Sequence, residues 1–96
     1  MTSQVCYFFQ HEQRYYLRTR DKRQLQIEHS LDEIEFFIDP LDYFRVNAHW
    51  IVRKRNVVKM SRQQDGRVVV QLRPAIEKPV VLEMDRMPAF RTWVKG

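Results

Sequence analysis

The chain has 96 residues, 44% of them hydrophobic, so it can build one core and is not compositionally disordered. No apolar run approaches the roughly 20 residues that cross a bilayer, and Met1 is not followed by a secretory signal, so we expect no membrane segment and no export. Seventeen Lys and Arg against 12 Asp and Glu give a net charge of +5, which favours a polyanionic partner.

Residues suited to enzyme or metal chemistry are sparse. Two glycines cannot supply a phosphate-cradling loop or a nucleophile elbow, and the three histidines lack metal-ligand spacing. The single cysteine, Cys6, lies in an apolar segment and can make no internal disulfide. We therefore expect no catalytic activity, no metal and no cofactor, and a reducing cytoplasm is the simplest location.

The first third of the chain predicts strands over 5–10, 15–19 and 24–28, and apolar and polar residues alternate in the second and third of them. A polar loop at 11–14 separates the first two strands, and Asp21-Lys22 is a plausible hairpin tip before the third.

A capped helix is predicted to follow. Ser30 can accept a hydrogen bond from the third helical residue, and Glu33 can reach back to complete a capping box. Leu31, Ile34 and Ile38 recur at helical spacing, and Pro40 disfavours a helical residue before it. The sequence therefore predicts a helix that begins after Ser30 and is stopped by Pro40.

The second half is predicted to begin with a short helix over 48–51, capped by Asn47. Strands over 56–61 and 67–73 follow, joined by a hairpin turn at Asp65-Gly66, and a loop between Pro74 and Pro79 leads to a strand over 80–84. A closing helix is predicted to be capped by Asp85, with Met87, Phe90 and Val94 on one face. Strands and helices do not alternate, which argues against a parallel nucleotide-binding sheet.

We predict one domain over residues 1–96, mainly β (α+β), with short antiparallel strands in small sheets and two or three short flanking helices. Its core is expected to hold most of the large apolar side chains, among them Phe8, Leu17, Phe37, Phe44, Trp50, Phe90 and Trp93.

Charge is unevenly distributed along the chain. Acidic residues concentrate in the predicted Ser30 helix, whereas one span is basic and contains Arg45, Arg53, Lys54, Arg55, Lys59 and Arg62. Such a span suits contacts to phosphate, which give affinity without sequence information. The alternative is a solvated polar surface. Arg45 has a further alternative, because a bond to Asp39 or Asp42 could hold the turn after the helix.

An ordered set of motifs resembles the LytTR DNA-binding domain of bacterial response regulators. It consists of His29-Ser30-Leu31-Asp32-Glu33-Ile34-Glu35, then Asp39-Pro40, then Phe44-Arg45-Val46-Asn47, with further similarity at 50–52, around Asp65-Gly66, and over 87–93. The resemblance covers roughly residue 7 to the end. The chain enters the family pattern late, so its first strands are expected to be short or missing.

The resemblance implies a mostly β fold that presents loops, rather than one recognition helix, to successive DNA grooves. It implies sequence-specific binding of double-stranded DNA by the output module of a bacterial transcriptional regulator. A two-component system is the implied setting, with the receiver or sensor domain outside this chain and with a homodimer left open.

Carried onto this sequence, the family's contacts fall on three places. The loop before the second strand offers Arg14, or Gln13 if the loop shifts, and the segment after Phe44-Arg45-Val46 offers Asn47. Where the family has Ser-Arg before its last helix, this chain has Glu83-Met84, and Arg86 is the nearest replacement. Arg14, Asn47 and Arg86 are therefore candidates for base or close phosphate contacts.

Five further residues are candidates for positioning the DNA backbone: Arg45, His49, Arg53, Lys54 and Arg55. Against DNA reading stand Ala48, which cannot hydrogen-bond through its side chain, and the departures at Glu83 and Met84. They support an alternative, a protein-interaction or dimerisation module that kept the fold and lost DNA reading.

Overall fold

The structure, a computed structural model, describes residues 4–96, which form two antiparallel sheets and two α-helices. The strands are Val5–His11 (β1), Arg14–Thr19 (β2), Gln24–Ile27 (β3), Tyr43–Asn47 (β4), Trp50–Arg53 (β5), Val57–Arg62 (β6), Val68–Leu72 (β7) and Val81–Leu82 (β8). The helices are Leu31–Glu35 (α1) and Met87–Lys95 (α2), and short 3-10 turns lie at Lys54–Asn56 and Met84–Arg86. The prediction of a mainly β fold is confirmed.

The first sheet has the order β3-β2-β1-β5-β4, and the second has the order β6-β7-β8. Strand β1 lies at the centre of the first sheet, where it pairs with β2 and β5. Both of its faces are covered, so five consecutive residues from Val5 to Phe9 are buried without alternation.

Each face of the first sheet has its own core. On one face, Phe8 and Ile51 pack with Leu31 and Ile34 of α1. The opposite face packs against the second sheet and α2, in a cluster that contains Tyr7, Phe9, Val52, Val70, Leu82 and Phe90. Of the predicted core residues, Phe8, Trp50 and Phe90 are buried, and Leu17, Phe44 and Trp93 are partly buried.

The predicted capping box opens α1. The Ser30 hydroxyl accepts from the Glu33 amide at 3.1 Å, and the Glu33 carboxylate accepts from the Ser30 amide at 2.8 Å. The helix ends at Glu35 rather than at Pro40, after little more than one turn. Ile38 still packs against the α1 core from the following turn. Phe37, however, is 73% exposed, and its predicted burial is wrong because the helical face that would have carried it inward has ended.

The predicted helix after Asn47 is also wrong, since residues 43–53 form the β4–β5 hairpin with its turn at Ala48-His49. Asn47 stabilises the turn instead of capping a helix, because its side-chain oxygen accepts a hydrogen bond from the His49 amide at 2.7 Å. A helix is excluded because β5 pairs with strands on both sides.

Two details of the closing helix differ from prediction. Asp85 does not cap α2, because it lies within the 3-10 turn and Arg86 occupies the cap position without a side-chain cap bond. Met87 and Phe90 are buried as predicted, whereas Val94 is exposed. Trp93 lies inward instead, packing on Phe44. Among residues 4–96, no helix is long and apolar enough to cross a membrane.

Candidate functional site

Two hairpin turns lie side by side at one end of the first sheet. Phe9 of β1 is paired with Trp50 of β5, and the Gln10 amide donates to the His49 carbonyl at 3.0 Å. This register places the β1–β2 turn next to the β4–β5 turn. We call this end, formed by residues 10–14 and 47–49, the turn edge.

The β1–β2 turn is tight and exposed. Glu12 and Gln13 both have positive φ angles, 50° and 67°. Arg14 follows as the first residue of β2, directly opposite His11. Its side chain is exposed and has no hydrogen-bond or ion-pair partner among the described residues. Arg14 is therefore presented to solvent with its full hydrogen-bonding capacity.

The β4–β5 turn presents His49 and holds it through Asn47. His49 is exposed, with Nδ1 3.2 Å from Oε1 of Gln10. The Asn47 amide is used at both ends, because it also donates from Nδ2 to the Val81 carbonyl at 2.6 Å. Asn47 thus fixes the turn to the second sheet, and His49 is the freer side chain.

Two further cations approach the turn edge. Lys78, in the loop before β8, has its Nζ 2.5 Å from Nδ1 of His11. Arg86 is exposed and donates from Nη1 to the carbonyl of Arg45 at 3.2 Å, which places it beside β4. The sequence pattern did not single out Lys78, since its position depends on how the loop folds back on β1.

Arg45 is held by its own chain. Its side chain is only 14% exposed; it is bonded to Asp32 and to Glu35, the latter at 2.7 Å, and to the Ala48 carbonyl at 2.7 Å. Burial opposes the charged form, but the bonds to the two carboxylates prevail and raise the pKa of Arg45. The expected partners Asp39 and Asp42 are not the ones that bind it. Arg45 instead joins α1 to the β4–β5 turn.

Arg53 is buried at the opposite end of β5. It is 7% exposed, and its Nε donates to Oδ2 of Asp42 at 3.0 Å. Its neighbours differ: Arg55 is exposed and has no hydrogen-bond or ion-pair partner within residues 4–96, whereas the Lys54 ammonium lies 5.3 Å from the Trp93 ring centroid. These residues lie about 15 Å from His49 along the strand.

The structure therefore divides the predicted site residues into two groups. Arg14, Asn47, His49 and Arg86 lie at or near the turn edge, with Arg45 behind it as a support. Arg53, Lys54 and Arg55 lie at the far end of the sheet. Exposed cations and hydrogen-bond donors along a narrow edge suit contacts to phosphate and base edges.

The described residues show no metal-type constellation. No group of three or more His, Cys, Asp and Glu among residues 4–96 is placed to hold an ion. Cys6 is buried, and burial raises the pKa of its thiol, which disfavours the thiolate that nucleophilic chemistry requires.

Comparison with known proteins gives a consistent result. The sequence model of the family described as the LytTr DNA-binding domain matches residues 1–95. No curated protein matches the chain. Among solved structures, the LytTr DNA-binding domain of a methyl-accepting/DNA response regulator from Bacillus cereus is similar, with a TM-score of 0.80 at 15% identity. The match covers 98% of this chain and 84% of that one, and it shows a shared fold.

Proposed function

Because the chain belongs to the LytTr DNA-binding domain family, we propose that it binds double-stranded DNA sequence-specifically, as the output module of a bacterial transcriptional regulator. The receiver or sensor of such a two-component system would lie outside this chain, and the site of action would be the cytoplasm. The single observation that carries the proposal is the family match over residues 1–95, to which the exposed turn edge adds a suitable surface.

The proposed base-reading residue is Arg14. A guanidinium is the side chain best suited to the two acceptors of guanine in the major groove, and that of Arg14 has no competing partner among residues 4–96. His49 and Arg86 are proposed to contact phosphate or base edges beside it. Asn47 contributes by holding the turn that carries His49.

Phosphate contacts are proposed at two separate places, the turn edge and the far end of the first sheet. Lys54 and Arg55 lie about 15 Å from His49, so they would reach phosphates about four base pairs away along a strand. Arg45 and Arg53 are proposed to support these surfaces from behind, because carboxylates of the chain already bind them.

The test begins with selection of binding sites from random duplexes, followed by titration of Arg14→Ala on the preferred site. Loss of a bidentate contact should weaken specific binding by about 1–3 kcal/mol and relax the preference at one base pair. Arg20→Ala is the matched control, since it removes the same charge from an exposed position outside the turn edge. Equal losses in both variants would reduce Arg14 to a general electrostatic role.

A protein-interaction or dimerisation module is the second candidate. The observation that favours it is an apolar group after α1, where Phe36, Phe37 and Leu41 are 87%, 73% and 75% exposed. This function predicts a concentration-dependent dimer in sedimentation that Phe36→Ser abolishes, together with no duplex binding at low salt. Specific duplex binding by a monomer would exclude it.

A further inference from the structure

A cavity of about 500 Å³ lies between the first sheet and the loop that connects β7 to β8. We call it the loop pocket. Its lining includes Phe9, His11, Arg18, His49, Trp50 and Lys78. Its volume is within the range that small-molecule sites occupy.

One wall of the loop pocket is aromatic. The rings of Phe9 and Trp50 are stacked, with centroids 4.8 Å apart and an interplanar angle of 13°. Ile76 of the overlying loop adds a further apolar side chain to the lining. Walls of this kind suit a flat hydrophobic group.

Arg18 gives the pocket an incompletely bonded cation. It lies on β2 opposite Gln24, and its Nη2 donates to Oε1 of Gln24 at 3.0 Å. Its Nε is enclosed and has no acceptor among the described residues. A guanidinium carries five N–H donors, and leaving them unsatisfied in a partly buried position is costly. An anionic group in the pocket would accept from the terminal N–H groups of Nη1 and Nη2 that Gln24 does not use.

The charges around the loop pocket also favour an anion. Lys78 lies at its rim with Nζ against His11, and the only carboxylate in the described lining is Glu77. Arg18 and Lys78 thus outnumber Glu77 among the charged side chains of the lining.

We propose that the loop pocket binds a small planar organic anion, with its ring against Phe9 and Trp50 and its carboxylate on the guanidinium of Arg18. This site adjoins the turn edge and shares Gln10, His11 and His49 with it, but its aromatic wall and Arg18 lie outside that edge. The test requires no DNA, so its outcome is independent of the proposed function.

The probe is 2-naphthoate, and the matched control ligand is 2-naphthamide, which has the same ring without the charge. Each is titrated into the isotopically labelled chain while the indole N–H resonance of Trp50 is followed. Trp93 is the internal reference, because its indole donates to the Pro40 carbonyl away from the pocket. We expect 2-naphthoate to shift the Trp50 resonance with a Kd of about 1 mM, ordinary for a ligand of this size. An unmoved Trp50 resonance, or equal binding of the amide, would overturn the proposal.

Variants locate the anion. Arg18→Gln should weaken 2-naphthoate binding about tenfold, because charge-assisted hydrogen bonds are lost. Lys78→Gln should weaken it by a smaller factor, and Arg20→Gln, outside the pocket, should leave it unchanged. Circular dichroism checks the fold of each variant, and if Arg18→Gln does not fold, the exposed Lys78→Gln decides instead. Wild-type affinity in a folded Arg18→Gln chain would refute the assignment.

Discussion

An arginine that is buried against a carboxylate of its own chain is not free to contact phosphate. Arg14 has no such partner within the described residues, whereas Arg53 is buried against Asp42. The two side chains have the same formal charge, but the cost of withdrawing Arg53 from its carboxylate sets them apart.

Removing the counter-ion of Arg53 should therefore destabilise the fold. Asp42→Asn replaces a charged acceptor of a guanidinium that is 7% exposed by a neutral one, and we expect a loss of about 1–3 kcal/mol in the free energy of unfolding. Denaturant melts measure it, with the exposed Asp85→Asn as control. Unchanged stability would mean that the Arg53 charge is satisfied without Asp42.

The buried hydroxyl of Tyr43 should make the fold less stable in alkali. Burial raises its pKa to about 12, and its hydroxyl donates to the Val5 carbonyl at 2.8 Å. Because the folded-state pKa is raised, the stabilisation is fully present below the unfolded value of about 10 and is lost as pH rises towards about 12. Melts across this window should show the free energy of unfolding fall by about 2–3 kcal/mol, and the fall should be smaller for Tyr43→Phe. An identical pH profile for Tyr43→Phe would contradict this account.

At the level of elements, α1 depends on its cap. Ser30→Ala removes the hydroxyl that accepts from the Glu33 amide and should cost roughly 0.5–2 kcal/mol, whereas Ser30→Asp should keep the cap. The backbone bond from Ser30 lowers the pKa of Glu33. The ionised Glu33 carboxylate therefore stabilises the fold at neutral pH, and this stabilisation is lost as pH falls through the folded-state pKa. Duplex affinity of the folded fraction should be nearly unchanged. A tenfold drop in affinity with stability intact would make Ser30 a contact residue.

The link between α1 and the β4–β5 hairpin gives a second prediction at this level. Arg45 neutralises Asp32 and Glu35 close to Ala48 of the turn edge. Arg45→Gln would leave both carboxylates unpaired there, and we expect duplex affinity to fall about threefold to tenfold by repulsion of phosphate.

The matched variant adds Asp32→Asn and Glu35→Gln to Arg45→Gln, which removes the uncompensated charge. If Arg45 acts by neutralisation, this triple variant should regain most of the lost affinity. If affinity stays low, direct contact between Arg45 and DNA would be the better explanation.

For the whole molecule, the net charge of +5 and the cations at both ends of the first sheet predict a salt-dependent interaction. If about five phosphates are neutralised, log affinity should fall against log salt with a slope of about −4 to −5. Titrations from low to physiological salt measure the slope, and Arg55→Ala, at a proposed phosphate contact, should make it less negative by about 0.9. A flat dependence would argue against a nucleic-acid partner.

Local chemistry was sufficient to predict most of the elements. The alternating strands, the Ser30 capping box and the Asp65-Gly66 turn, where Gly66 has a φ of +89°, all depend on residues a few positions apart. The family motifs, which are ordered along the chain, likewise indicate the fold.

Tertiary structure alone decided which basic residues are free and which elements lie together. Arg45 is bound by carboxylates 13 and 10 residues away, and Arg53 by one 11 residues away, so their burial depends on packing between elements. Residues 48–51 form a turn and the start of β5 rather than the predicted helix, because pairing of β5 with β1 and β4 outweighs the capping preference of Asn47. The local sequence pattern reflects only the preferences of residues that are close along the chain, whereas strand pairing and charge neutralisation depend on contacts between segments that are distant in the chain.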